Sequence, residues 1–475
     1  MNAWKPAALM LAIVAAYPTV ASAQSNEELL KELRALRDRV GQLEKKLADK
    51  PAGDKQWGMT PEQLQDFNRI AVKTEALEDN QEAMGFKGLK IGGFIDPTYI
   101  YNRNQNRAGF QFLNRVSDDG YNYDNGYFGT AAIDFQKEMD GGSKFRLTLM
   151  PNRGAGSIAD AGGSSIVHEA SMSIPLGDLS TRLIAGQIPD WSGYEYTQPT
   201  TTKLVTRGLL LDFTEPTAYT AAGVEIIRGK WDIKAVLGNY NSTKQGANRQ
   251  TPVLAYRVDY SKGEFMGFGF AGVHGKAANF TGNLSHTEFA VDPATGQILP
   301  VQVSDTAKDS RLDLFEVDGY FTRGDLTLQG QLGIGRQKYA SITPAADGSL
   351  RTAQWWGASV LAAYKFIPRW EAVARFDYID NHKNGGGLLQ YSIADSRNGI
   401  GPDANCAASS DADACSKGAN RYALAVGVNY QLTSNAMIKT EYRLDHATQS
   451  VFLDAKNGSF RKNNSLFGAS VVVFF

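Results

Sequence analysis

The chain has 475 residues, with 49 Lys+Arg against 50 Asp+Glu and a formal net charge of -1. That balance, without a basic block, argues against a nucleic-acid partner, and 43% hydrophobic against 21% charged residues argues against a disordered chain. The 48 glycines, with 23 Phe, 20 Tyr and 7 Trp, suit short strands and turns; two cysteines are too few for a disulfide framework or a Cys zinc site.

Residues 1–23 read as a secretory signal. Lys5 supplies the charged start, residues 7–16 the apolar region, and Ala21-Ser22-Ala23 the cleavage site, so the mature chain is expected to begin at Gln24. The apolar run is too short for a bilayer core of roughly 30 Å, and Pro18 follows it. No Cys adjoins the cleavage site, so no lipid anchor is expected. No later apolar run is long enough for a spanning helix. If the exported chain crosses a membrane, it does so with strands.

Residues 24–50 are predicted to form a coiled-coil stalk. Ser25 and Glu28 make a capping box. Leu29, Leu33, Leu36, Val40, Leu43 and Leu47 then recur four and three apart between charged flanks. So short a helix is marginal alone in water and needs partner helices held nearby. The alternative is one amphipathic helix packed on its own domain. Residues 51–86 hold a linker and a second helix, capped by Thr60, opened by Pro61 and ended at Gly85. Its face of Leu64, Phe67, Ala71 and Leu77 is mixed, and the sequence leaves open whether it extends the stalk.

From residue 87 to 475 the period becomes two. Residues 144–149, 326–334 and 370–378 alternate an aliphatic or aromatic face with a polar or small one. Segments of about ten residues are what a tilted strand needs to cross a bilayer. Short connections near 139–143, 177–180, 228–230, 261–264, 322–325, 366–369 and 432–435 alternate with long ones near 102–126, 151–165, 189–218, 241–251, 275–310, 337–353, 381–419 and 446–464. Seven turns and eight loops predict a barrel of sixteen antiparallel strands with both ends on one side. A soluble β-sandwich would not make one side of every hairpin short and the other long.

The last segment, Ser465 to Phe475, ends on two phenylalanines. It resembles the C-terminal signature of outer-membrane proteins that the barrel-insertion machinery reads. With the stretches Gly85–Pro97 and Gly193–Pro216, residues 87–475 resemble a bacterial porin, and the stalk-then-barrel order is similar to porins carrying an N-terminal coiled coil, with proteobacterial OmpL-like porins as relatives. The resemblance implies an outer-membrane channel for small hydrophilic solutes, a homotrimer, contact with outer-membrane lipid and a periplasmic stalk within reach of peptidoglycan.

Porins narrow their channel with the third long loop, and 189–218 holds that ordinal place. It carries Asp190, Glu195, Lys203, Arg207, Asp212 and Glu215, and the apolar run Leu209-Leu210-Leu211 that a water-facing loop would not need. The alternative is an ordinary loop containing a short strand. Strand parity sends Lys144, Arg146, Arg182, Glu316, Asp318, Glu371, Arg375, Asp377, Lys439, Glu441 and Arg443 into the lumen. There the early and late basic residues would face the loop's acids and orient polar solutes. Alternatively, they merely keep water in the pore.

Enzymatic readings fare poorly. None of the five histidines is placed beside a lumen Ser or Asp on a neighbouring strand, and no pair has metal-ligand spacing, so neither catalysis nor a cofactor is expected. Gly267–Gly272 matches G-x-G-x-x-G inside a strand with no helix after it, and Arg323-Gly324-Asp325 reads as a periplasmic turn. Export predicts a disulfide between Cys406 and Cys415 within one long loop.

Overall fold

The computed structural model describes residues 61–83, 85–112, 129–150, 166–241, 252–277, 285–291, 298–304, 310–341, 351–383, 401–411 and 414–475. The signal segment, the seam from Leu29 to Leu47 and the cap Thr60 lie outside the described residues. Two units divide at Ala83 and Met84. In the first, α1 (Pro61–Ala83) opens on proline, whose missing amide costs nothing in a first turn, and leaves Leu64, Phe67, Ile70 and Val72 exposed.

The second unit is a closed antiparallel barrel. Its strands are β1 (Leu89–Ile95), β2 (Thr98–Asn102), β3 (Arg107–Gln111), β4 (Ala131–Glu138), β5 (Lys144–Leu149), β6 (Val167–Leu176), β7 (Asp178–Pro189), β8 (Ala218–Arg228), β9 (Trp231–Tyr240), β10 (Val253–Ser261) and β11 (Met266–Ala277). After a hairpin within the next loop, β12 (Ser285–Val291) and β13 (Ile298–Ser304), the barrel continues with β14 (Ser310–Arg323), β15 (Leu326–Gln337), β16 (Ala353–Ile367), β17 (Trp370–Asp380), β18 (Arg421–Thr433) and β19 (Ala436–Ala447). A second loop hairpin, β20 (Phe452–Asp454) and β21 (Ser459–Arg461), precedes the last strand, β22 (Asn463–Phe474). Pro97 divides β1 from β2, yet both pair with β22, so they form one barrel strand; β3 and β4, paired with β2 and β1, form the next. The sheet's eighteen segments thus make sixteen strands. Closure is by β1 and β22, with Phe475 and Gly93 exchanging backbone hydrogen bonds at 3.1 and 3.2 Å.

Parity decides what each face meets. Leu237, Ile334, Leu424, Val426, Tyr442 and Phe467 are exposed on the outside, while the alternate residues of the same strands are buried within. Outward aromatics gather at both strand ends. Near the short turns Trp231 packs on Tyr260 at 4.9 Å and Trp370 on Tyr430 at 4.6 Å; near the long loops Tyr378 packs on Trp356 at 5.0 Å and on Tyr422 at 4.8 Å. Trp370 and Tyr378 lie on one strand, roughly 26 Å apart at about 3.3 Å per residue. Two aromatic girdles around an apolar band are what a bilayer requires of a barrel's outer wall.

Candidate functional site

Between β7 and β8 the chain turns inward. Residues 190–217 hold one short helix, α2 (Leu209–Phe213), and lie against the inner wall. Apolar contacts seat the loop. Leu204 packs with Leu361, Val373 and Ala425; Val205 packs with Ile100, Phe452 and Leu466. Leu209, Leu210 and Phe213 join Trp355, Ile379 and Ala423. Burying a leucine contributes about 1.5–3 kcal/mol, which explains the leucine run of this loop. Glycines in the wall allow the approach: a Cβ on Gly427 would stand 2.7 Å from Leu204 Cδ2, and one on Gly357 3.0 Å from Leu210 Cδ1.

Polar contacts fix the register. Arg375 donates to Glu195 Oε1 at 2.8 Å, the Thr206 carbonyl at 3.0 Å and Thr206 Oγ1 at 3.1 Å, and to Asp377 beside it at 3.0 Å. Glu441 accepts from Thr206 N at 2.6 Å and from Thr206 Oγ1 at 2.5 Å. Arg443 donates to the Arg207 carbonyl at 2.7 Å, and Lys439 to the carbonyls of Pro199 and Thr202 at 2.5 and 2.6 Å. Lys203 donates to Glu371 at 2.7 Å and Gln331 to Glu215 at 2.5 Å. Arg257 bridges Asp318 and the Trp191 carbonyl at 2.8 and 2.7 Å. The Arg421 guanidinium lies 5.2 Å from the Phe213 ring and 5.2 Å from the Phe452 ring.

The loop therefore lies along the wall from β10, through β14 to β19, as far as β22 and β2. The side chains of Arg375 and Arg443 beneath it are 0% exposed. Elsewhere the wall keeps partly exposed charge: the side chains of Arg146 on β5, Lys234 on β9 and Asp259 on β10 are 38%, 27% and 31% exposed. Tyr196 and Thr201 are the loop's exposed residues, with Lys203 partly exposed.

Burial perturbs the loop's carboxyls. Asp190 is pushed up to about 6 and Asp212 to about 8. Glu195 is raised by burial against the opposing charge of Arg375, and Glu215 is raised well above the usual range by burial and then by the charge of Glu316. Glu316 is fully buried.

The residues singled out from the sequence fall into distinct groups. Glu195, Arg207, Asp212 and Glu215 are buried on the loop's docked side, and Asp190 is half-buried at its start, bonded to Tyr219 and Ser192; none stands opposite a basic wall. Glu316, Asp318, Arg375, Lys439 and Arg443 face inward but lie under the loop. Arg146 is partly exposed on the inner face of β5, 2.9 Å from Asp134 and 3.3 Å from Glu169. Lys144 and Arg182 lie by the short turns, Arg182 bonded to Ser173 Oγ at 2.5 Å and the Gly142 carbonyl at 2.6 Å. A disulfide joins Cys406 and Cys415. Sequence reasoning missed Thr206, Arg257, Gln331, Arg421 and Asp445. Arg257 had a signal, since it alternates with Val253 and Ala255 on an inward face.

A closed sixteen-stranded barrel, apolar outside between aromatic girdles and charged within, defines a porin-type outer-membrane barrel. The chain belongs to the family described as Protein of unknown function (DUF3138), which matches residues 59–475. In backbone course it is similar to the anion-selective porin from Comamonas acidovorans (10% identity, TM-score 0.48, 82% of this chain and 99% of that one). It is also similar to in-vitro folded OmpT of Vibrio cholerae in its trimer form (12%, 0.46, 82% and 99%) and to the channel DcaP of Acinetobacter baumannii (10%, 0.46, 82% and 97%). No curated protein matches the sequence.

Proposed function

We propose that the protein is a water-filled channel through the outer membrane for passive diffusion of small hydrophilic solutes, narrowed by the loop at 189–218. The observation that carries this reading is the asymmetry of the lumen: the loop buries the charged side chains beneath it, while Arg146, Lys234 and Asp259 elsewhere on the wall keep partial exposure. Solutes would pass between Tyr196 and Lys203 on the loop and Arg146, Lys234 and Asp259 on the wall. Both signs are present, and a mixed field orients dipolar solutes rather than selecting one ion sign.

Liposome swelling with uncharged solutes of graded size tests it. Swelling that falls smoothly with solute size supports a diffusion channel. Swelling saturated by one solute class would make it a substrate-specific channel. No swelling would favour a tether between membrane and cell wall. Around this channel we place a homotrimer held in part by periplasmic helices from residues 24–86, peptidoglycan within reach of them, and Phe475 as the mark read by the insertion machinery. Cross-linking that yields only monomers, with and without residues 24–86, would refute the trimer.

A further inference from the structure

On the outer wall, where the long loops begin, a cleft of about 600 Å³ opens between the β2–β3 turn, the β20–β21 hairpin and the start of β22. Four basic residues line it, Arg103, Lys456, Arg461 and Lys462, against a single acid, Asp454. Arg461 pairs with that acid at 2.6 Å, whereas Arg103, Lys456 and Lys462 form no ion pair among the described residues. The frame is fixed by backbone. Arg103 N donates to the Ser465 carbonyl at 3.0 Å, Ala455 N to the Asn104 carbonyl at 2.8 Å and Ala447 N to the Lys462 carbonyl at 2.8 Å. Asn104 Nδ2 closes it onto the Asn463 carbonyl at 2.7 Å.

Parity shows which way the cleft faces. Leu444 lines it and is exposed on the outward side of β19, since Arg443 and Asp445 on either side point inward and are buried. Below it the same outer surface continues as Tyr442, Phe467 and Tyr101, all exposed. Cations at the girdle above an apolar wall match a molecule with an anionic head and acyl chains. A soluble anion would have no use for the wall, and a lipid without a phosphate no use for three cations that form no ion pair among the described residues.

We infer that this cleft binds the phosphorylated headgroup of a lipid of the surrounding bilayer, with Arg103, Lys456 and Lys462 holding phosphate oxygens and the acyl chains lying over Leu444, Tyr442 and Phe467. The inference rests on the barrel's placement in the outer membrane proposed above.

The test is native mass spectrometry of the mature chain in detergent, titrated with diphosphorylated lipid A, with single-channel recordings from the same preparations. One lipid per barrel is expected on the wild type. The variant R103Q/K456Q/K462Q should bind about a hundredfold more weakly, roughly 3 kcal/mol at 1.4 kcal/mol per factor of ten. R103K/K456R/K462R should bind like the wild type, and inorganic phosphate should not displace the lipid. Equal retention by the Gln variant would overturn the inference. So would displacement by inorganic phosphate, which marks a soluble-anion site, or loss of oligomers in the Gln variant, which marks a subunit contact. Normal channels from every variant with no lipid difference refute the cleft alone; no channels from the wild type refute the transport reading alone.

Discussion

Replacing Arg375 with alanine strikes the lumen loop at its best-connected anchor. The guanidinium makes three hydrogen bonds to loop atoms, at 2.8, 3.0 and 3.1 Å, and a fourth to Asp377. Its removal leaves Glu195 and Asp377, both buried, without the cation between them. Breaking one partner out of a buried pair costs about 3–5 kcal/mol. A loss of about 4 kcal/mol multiplies the ratio of undocked to docked loop by about 10³. The assay uses a buried reporter. Leu204 is 1% exposed, and both native cysteines are bonded to each other, so L204C introduces the single free thiol. In the L204C background, R375A should speed modification by a small charged thiol reagent by about 10³ and add open-channel noise. A change of less than about tenfold would refute the claim that this arginine holds the loop on the wall.

Other consequences follow from the same packing. Burial holds the Asp190 and Asp212 carboxyls at about 6 and about 8, above the ordinary 3.8 they regain on a released loop. Docking is thus favoured most below pH 3.8 and weakens as pH rises through each raised value, so the L204C thiolate-corrected reaction rate should climb between pH 5 and pH 8 and D212N should flatten the climb; a constant rate in both would refute this. Arg369 occupies the turn after β16 with φ +72°, where the turn after β14 has Gly324 at φ +57°. R369G should stabilise the barrel by about 1 kcal/mol in urea unfolding, and destabilisation would contradict the strain argument. The Cys406–Cys415 bond closes a sequence separation of 9, worth about 2.7 kcal/mol in the chain-entropy relation. C406S/C415S should raise hydrogen exchange around residues 401–411 and leave conductance unchanged, whereas lost conductance would give the bond a role in the passage.

The barrel was legible because its rules are local. Alternating burial is written into residues 326–334 and 370–378, and Gly-containing turns such as Gly324 punctuate it. The inward fold of the third loop was legible for the same kind of reason, since Leu209 and Leu210 have no place in water. Its docking was not. Glu195 meets Arg375 across 180 positions and Thr206 meets Glu441 across 235, and no spacing rule reaches so far. Parity alone therefore sent Arg375, Lys439 and Arg443 into the lumen without telling that the loop would cover them. The hairpins β12–β13 and β20–β21 lie within the long connections 275–310 and 446–464 and carry no sequence signal of their own, because short pairs lack the length that marks a spanning strand.

The most direct test is single-channel conductance in planar bilayers of the mature chain beside a variant whose residues 193–214 are replaced by a short Gly/Ser link. A steady wild-type conductance that rises severalfold on removing the loop is the predicted result. Equal conductance in the two proteins, or none in either, would contradict a channel narrowed by its third loop.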